Sequence, residues 1–224
     1  MTNPDRPALL FDLDGTLVTS DPVHVAVFAE LFAERGLHMS EEMFMTRIHG
    51  HANEAIFAEF FPEEDGAALA DEKEARFRAR LGGHVPPMPG IGALLDRAQA
   101  AGWACAVVTN APAENARAML AATGLAPRLP VVVLGEDCAR GKPAPDPYLK
   151  AMRQLGVRAD RCIAFEDSAT GIAAAVAAGA YTVGLRSSHD TDAMRAMGAH
   201  ASISDFEDPA LPAILARLEG ETPQ

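Results

Sequence analysis

Leu9-Leu10-Phe11-Asp12-Leu13-Asp14-Gly15-Thr16-Leu17 starts as an apolar run and ends in two carboxylates, a glycine and a hydroxyl. With Ala8 in front, the run reads as a strand buried on both faces, the kind found in parallel sheets. In open α/β sheets ligands bind just beyond the carboxyl ends of such strands, where Asp12 and Asp14 stand. Residues two apart on an extended chain point the same way, so both carboxylates can face one crevice. Gly15 allows a turn that a residue with a side chain would resist.

The pattern changes beyond this strand. Asp21-Pro22 reads as a helix cap followed by proline at the first helical position, opening a helix to Gly36. Ser40-Glu41-Glu42 starts another, and helical patterns follow over about 52–61 and 66–81, the last with alternating charges on a solvated face. Phe57, Phe60 and Phe61 are expected in the core of this segment. No strand pattern occurs between about 20 and 82, so the region reads as an all-helical insertion. Gly82-Gly83 to Pro89-Gly90 is a linker rich in breakers.

Strands and helices then alternate. Strands are expected at Ala104–Thr109, Val131–Leu134, Cys162–Glu166, Tyr181–Leu185 and Ala201–Ile203, separated by helices near 91–101, 113–122, from Asp146-Pro147, up to Gly179 and near 190–197. A last helix is expected near 209–218. This order predicts a doubly wound parallel sheet, a Rossmann-like α/β core of residues 1–18 and 86–224, with an all-helical cap at 19–85.

Composition narrows the function. The 224 residues carry a formal net charge of −12, which repels polyanions, and no basic patch offsets it; nucleic acid is not an expected partner. An acidic protein handling an anionic substrate needs a cation at the site. Ser168–Leu185 is uncharged but broken by Gly171, Gly179 and Gly184, so it reads as a helix and a strand rather than a membrane span. Three cysteines without metal-ligand spacing, and an N-terminus without an apolar core, fit a cytoplasmic protein. A monomer or small homo-oligomer is expected.

Three further strands run into polar residues: Thr109-Asn110, Glu166-Asp167-Ser168, and the loop Gly141-Lys142-Pro143. In a parallel sheet these ends share one edge, so they can converge with Asp12 and Asp14. Four carboxylates, a hydroxyl and an ammonium suit Mg²⁺ with a phosphoryl group. The four segments, in this order, resemble the motifs of the haloacid dehalogenase superfamily, in its phosphatase and β-phosphoglucomutase-like branch with a helical cap.

The resemblance implies that Asp12 is a nucleophile forming an aspartyl-phosphate. It implies that Asp14 protonates the leaving oxygen and then activates water. Metal ligation is implied for the Asp12 carboxylate, the Asp14 backbone carbonyl and Asp167, with Glu166 nearby or acting through water. Thr109, Asn110 and Lys142 would hold the phosphoryl oxygens. In the cap, His24, His49, His51 and Asn53 are expected to face the substrate.

The expected reaction is Mg²⁺-dependent hydrolysis of a small phosphorylated metabolite such as a sugar phosphate, a polyol phosphate or phosphoglycolate. The alternative is a phosphomutase like β-phosphoglucomutase, which uses basic cap residues for a second phosphate; the corresponding loop here, His49-Gly50-His51-Ala52-Asn53, has no Lys or Arg. Haloacid dehalogenation does not need Asp14, and a non-catalytic role would be signalled by a substituted catalytic position, which is not found.

Overall fold

The computed structural model describes residues 3–48 and 51–219. The chain divides into two compact units, one running to Thr19 and resuming at Pro86, the other Ser20–Val85.

Among its described residues the first unit holds six parallel strands: β1 (Ala8–Phe11), β2 (Ala104–Thr109), β3 (Val132–Leu134), β4 (Cys162–Glu166), β5 (Tyr181–Leu185) and β6 (Ala201–Ile203). Their order across the sheet is β3-β2-β1-β4-β5-β6. β1 pairs with both β2 and β4, so the chain winds outward from β1 in one direction and from β4 in the other. That reversal is the topological switch point at which doubly wound sheets bind ligands. The strand expected at Val131–Leu134 loses a residue: Val131 precedes β3, although its carbonyl still accepts from Val107 N at 2.9 Å.

The central strand sequences are largely apolar because both faces are covered. On one face Ala8, Leu10, Ala106, Val108 and Ala164 pack with Tyr148, Ala151 and Met152. On the other, register places Phe11 opposite Phe165, and their rings stack at 5.3 Å with 10° between planes. Phe206 closes edge-on against both, at 5.9 and 5.2 Å. Period-two alternation thus sends small residues to one side and the paired rings to the other.

The second unit contains helix among its described residues and no strand: α1 (Asp21–Glu34), α2 (Glu41–Met43) continuing into a π-helical turn (Phe44–Ile48), α3 (Asn53–Phe60) and α4 (Gly66–Leu81). Val27, Phe28, Leu31 and Phe32 form the apolar stripe of α1 and pack against Phe44, Ile56, Phe57, Phe61 and Leu69, with Phe60 partly buried beside them. Two expectations fail here. Asp21 is not the cap of α1: Ser20 takes that place, with no side-chain cap bond, and Asp21 sits in the first turn. The charged face of α4 is not wholly solvated either, since Lys73 and Glu74 are 4% and 9% exposed. Each compensates the other, Lys73 Nζ donating to Glu74 Oε1 at 2.8 Å, and the Phe28 and Phe77 rings lie 5.1 and 5.6 Å from the ammonium.

The remaining helices belong to the first unit: α5 (Ile91–Ala100), α6 (Ala113–Ala122), α7 (Asp146–Leu155), α8 (Ala169–Ala177), α9 (Thr191–Ala196) and α10 (Leu211–Glu219). Among the described residues, no helix is long and apolar enough to cross a membrane.

Phe165→Ala removes the centre of the three-ring cluster beneath the site. It is expected to lower unfolding free energy by about 3–5 kcal/mol, read as a fall in the urea midpoint at unchanged slope. A loss under about 1 kcal/mol would show that the ring is not a keystone of the core.

Candidate functional site

The carboxyl edge of β1, β2 and β4 gathers the residues singled out by the sequence. Asp12 follows directly on β1, and its backbone N–H donates to the Phe165 carbonyl at 2.9 Å, so the pairing with β4 carries on past the strand end. The next residues turn sharply: Leu17 N and Val18 N donate back to the Leu13 carbonyl at 2.9 and 3.2 Å, and Gly15 N donates to Val18 O at 2.8 Å. Gly15 sits at φ +72°, and a Cβ there would come within 2.0 Å of Asp167 Oδ2. Glycine is therefore required twice over, for the left-handed turn and for the space that Asp167 occupies.

Asp12, Glu166 and Asp167 are all buried, and one carboxylate oxygen from each falls within 4.8 Å of the others. Lys142, itself 8% exposed, reaches into this group from the loop before α7. Its Nζ donates to Asp12 Oδ1 at 2.6 Å and to Glu166 Oε1 at 2.5 Å. The loop is gripped by Asn110, whose Nδ2 donates to the Lys142 carbonyl and whose Oδ1 accepts from Lys142 N, both at 3.0 Å. Gly135 and Gly141 make room for that grip, since Cβ atoms there would approach Asn110 Oδ1 to 2.2 and 3.0 Å. The Lys142-Pro143 peptide bond is cis.

Glu166 is saturated. Oε1 accepts from Lys142 and from Tyr148 Oη at 2.9 Å; Oε2 accepts from Asp167 N and Ser168 Oγ, each at 3.2 Å. Gly171 presses against the carboxylate so closely that a Cβ would overlap it, at 1.9–2.0 Å. Ser168 also caps α8, its Oγ accepting from Gly171 N at 3.1 Å. Ser187 Oγ lies 3.4 Å from Asp167 Oδ2.

Three carboxylates against one ammonium leave the cluster with an excess of negative charge. Burial pushes the Asp12 carboxyl well above its ordinary range, with the Lys142 charge pulling the other way and Glu166 adding to the rise. Burial lowers the affinity of Lys142 for its proton, but the charges of Asp12 and Glu166 outweigh that, and the ammonium is held above its ordinary value. Two like charges about 4 Å apart repel by about 4 kcal/mol at an effective dielectric near 20. A hard cation offsets that repulsion, and the all-oxygen donor set suits Mg²⁺. Both Glu166 oxygens already accept hydrogen bonds from the protein.

The other expected residues are placed as follows. Asp14 is half-buried and its side chain is not part of the three-carboxylate group. Thr109 is buried at the end of β2, and its Oγ1 accepts from Ala111 N at 2.9 Å, leaving the hydroxyl proton to donate. Asn110 is beside the site, with its side chain committed to the Lys142 backbone. In the helical unit, His24 stacks on Phe77 at 4.2 Å, and Asn53 Nδ2 donates to Glu74 Oε1 at 2.6 Å. His51 is exposed, and His49 lies outside the described residues. The sequence reading missed Tyr148, Lys73 and Glu74. Lys73 and Glu74 look like ordinary members of a charged face, and only their lack of exposure sets them apart.

The family model for haloacid dehalogenase-like hydrolases matches residues 9–185, which include Asp12, Lys142, Glu166 and Asp167. Protein CbbY of Rhodobacter capsulatus is 34% identical over 229 residues, spanning 96% of this chain and 98% of the relative. A phosphoglycolate phosphatase of Xanthomonas campestris is 35% identical over 175 residues, spanning 77% of this chain and 79% of that enzyme. The crystal structure of CbbY from Rhodobacter sphaeroides in complex with phosphate is similar at TM-score 0.77 and 30% identity, spanning 96% of this chain and 99% of that one. With the sheet order, the four strand-end segments and a match of this extent in agreement, the chain belongs to the haloacid dehalogenase-like hydrolases.

Proposed function

We propose that this protein is a phosphatase of small phosphorylated metabolites, working through an aspartyl-phosphate on Asp12 with Mg²⁺ as its metal. One observation carries the reading. At the switch point of the sheet, buried Asp12, Glu166 and Asp167 lie together with the Lys142 ammonium bonded to the first two, a charge pattern matched by a phosphoryl group together with a divalent cation. The names of the relatives, a phosphoglycolate phosphatase and a CbbY solved with phosphate, support the same chemistry.

In this reading an Asp12 oxygen attacks phosphorus as the bond to the ester oxygen breaks, and Asp14 gives its proton to that leaving oxygen. Asp14 then takes a proton from water, which attacks the aspartyl-phosphate and releases phosphate with Asp12 restored. Lys142 and the Thr109 hydroxyl hold the non-bridging oxygens, and the Asn110 clamp keeps Lys142 at its station. Asp12, Asp167 and the Asp14 backbone carbonyl would hold Mg²⁺, with Glu166 acting at one remove by fixing Lys142. When bound, the ion supplies positive charge that offsets the repulsion between carboxylate and phosphate.

Residues 19–85 are proposed to act as a cap that selects the substrate, with His24, His49, His51 and Asn53 as its selective side chains. The pairing of Lys73 with Glu74 bears on the mutase alternative, because this buried ammonium is already neutralised inside the helical unit. That favours hydrolysis of a substrate with one phosphate over retention of a second. The protein is proposed to function in the cytoplasm as a monomer or small homo-oligomer.

Incubation with Mg²⁺ and a panel including phosphoglycolate, sugar phosphates and polyol phosphates is expected to release phosphate from at least one compound. EDTA should abolish the release and added Mg²⁺ restore it. A folded sample inactive on the whole panel would count against the reading, as would glucose 6-phosphate formed from the 1-phosphate.

Asp12→Asn is expected to lower kcat by at least about a thousandfold while the thermal transition stays cooperative. Acid quenching of the wild type during turnover of a ³²P-labelled substrate should trap protein-bound label that hydroxylamine releases. Full activity in the Asn variant would exclude covalent catalysis at this position.

Asn53→Ala should change the ratio of kcat/KM between two accepted substrates by about tenfold, while phosphate inhibition changes less than twofold. An equal effect on all substrates would assign Asn53 to the folding of its helices instead.

A further inference from the structure

Tyr148 has no part in the chemistry above, yet it contacts the residue that does the most. It lies in the first turn of α7, six positions after Lys142, and is 0% exposed. Its ring belongs to the apolar cluster that includes Val133, Ala151 and Met152, a place that phenylalanine would fill equally well. A buried hydroxyl is costly unless it is hydrogen-bonded. This one donates to Glu166 Oε1 at 2.9 Å, the same oxygen that accepts from Lys142 Nζ, and the ammonium stands 5.3 Å from the centre of the Tyr148 ring.

The Lys142 ammonium has three N–H bonds to give. One goes to Asp12 Oδ1 and one to Glu166 Oε1, which leaves one for a phosphoryl oxygen. The balance between the first two sets where the third points. With Oε1 shared, Glu166 holds Lys142 less tightly than it would alone. Without the phenol, the uncompensated charge on Oε1 would draw the ammonium towards Glu166 and away from Asp12.

We infer that Tyr148 is a positioning residue: by donating to Glu166 Oε1 and backing the ammonium with its ring, it keeps Lys142 centred on Asp12 and directed at the phosphoryl oxygen. This rests on the phosphatase reading, since the anion that Lys142 would meet is the phosphoryl group.

The test compares wild type with Tyr148→Phe, which keeps the ring and removes the donor. Calorimetric titration of inorganic phosphate into each protein with Mg²⁺ present is expected to give a dissociation constant about tenfold weaker in the variant, the factor associated with one lost hydrogen bond to a charged group. KM should rise by a similar factor, with kcat falling less than about threefold. Phosphate affinity and KM within twofold of wild type would overturn the inference, leaving Tyr148 as packing alone even if the melting temperature dropped.

A second measurement avoids the substitution. The chain has two tyrosines, so 3,5-difluorotyrosine incorporated in a Tyr181→Phe background labels Tyr148 alone with a stronger donor of nearly the same shape. Phosphate should then bind more tightly than to the unlabelled Tyr181→Phe protein, and an unchanged constant would overturn the inference. If wild type binds no phosphate and hydrolyses nothing in the panel, the phosphatase reading falls and the inference with it. If wild type is active and Tyr148→Phe is indistinguishable from it, the inference alone falls.

Discussion

A single ammonium held between two buried carboxylates organises the catalytic unit. Lys142 Nζ, 2.6 Å from Asp12 and 2.5 Å from Glu166, joins a loop that follows β3 to the ends of β1 and β4. Removing one partner of such a buried arrangement leaves an uncompensated charge, which costs about 3–5 kcal/mol. The surroundings are built to keep the arrangement whole. Asn110 clamps the backbone of Lys142, Tyr148 and Ser168 complete the bonds to Glu166, and the Asp167 N–H turns back onto it.

Space is as tightly allotted as charge. Gly15 and Gly171 each face a carboxylate at a distance no Cβ could tolerate, the first giving room to Asp167 and the second to Glu166. These two glycines let backbone approach acidic side chains at the sheet edge, so the carboxylates lie close together and out of water. Their mutual repulsion is then only partly answered by Lys142. An excess of negative charge in a buried cluster of hard oxygen donors is a physical demand for a cation.

The helical unit solves a different electrostatic problem. Its outer charges form exposed pairs such as Arg76 with Glu34 and Arg80 with Glu30, whose contribution to stability is small. Lys73 and Glu74 are instead buried and bonded to one another, Lys73 beside the Phe28 and Phe77 rings and Glu74 accepting also from Asn53. This places an ion pair against aromatic rings, where leaving either charge unpaired would be costly.

Much of the fold was legible in the chain itself, because burial on both faces leaves a parallel strand uniformly apolar and breakers bound it. Five of the six strands were read with their bounds as found, and the sixth differed by one residue at its start. Asp12, Glu166 and Asp167 were legible too, since each stands at the end of an apolar run with a group that costs energy to bury, whereas Lys142, in a loop, stood out only through the resemblance of Gly141-Lys142-Pro143 to a family motif. Other features were invisible for an equally physical reason. The phenol of Tyr148, the grip of the Asn110 side chain on Lys142 and the bond of Asn53 to buried Glu74 depend on contacts between residues 18, 32 and 21 apart in sequence. Local periodicity carries no record of such contacts, and the same residue types at the surface would read identically. The order of apolar residues and breakers along the chain specifies which strands form and which acids stand at their ends. The tertiary structure decided which donor each acid receives, because hydrogen-bond partners are set by where helices pack and not by the order of residues along them.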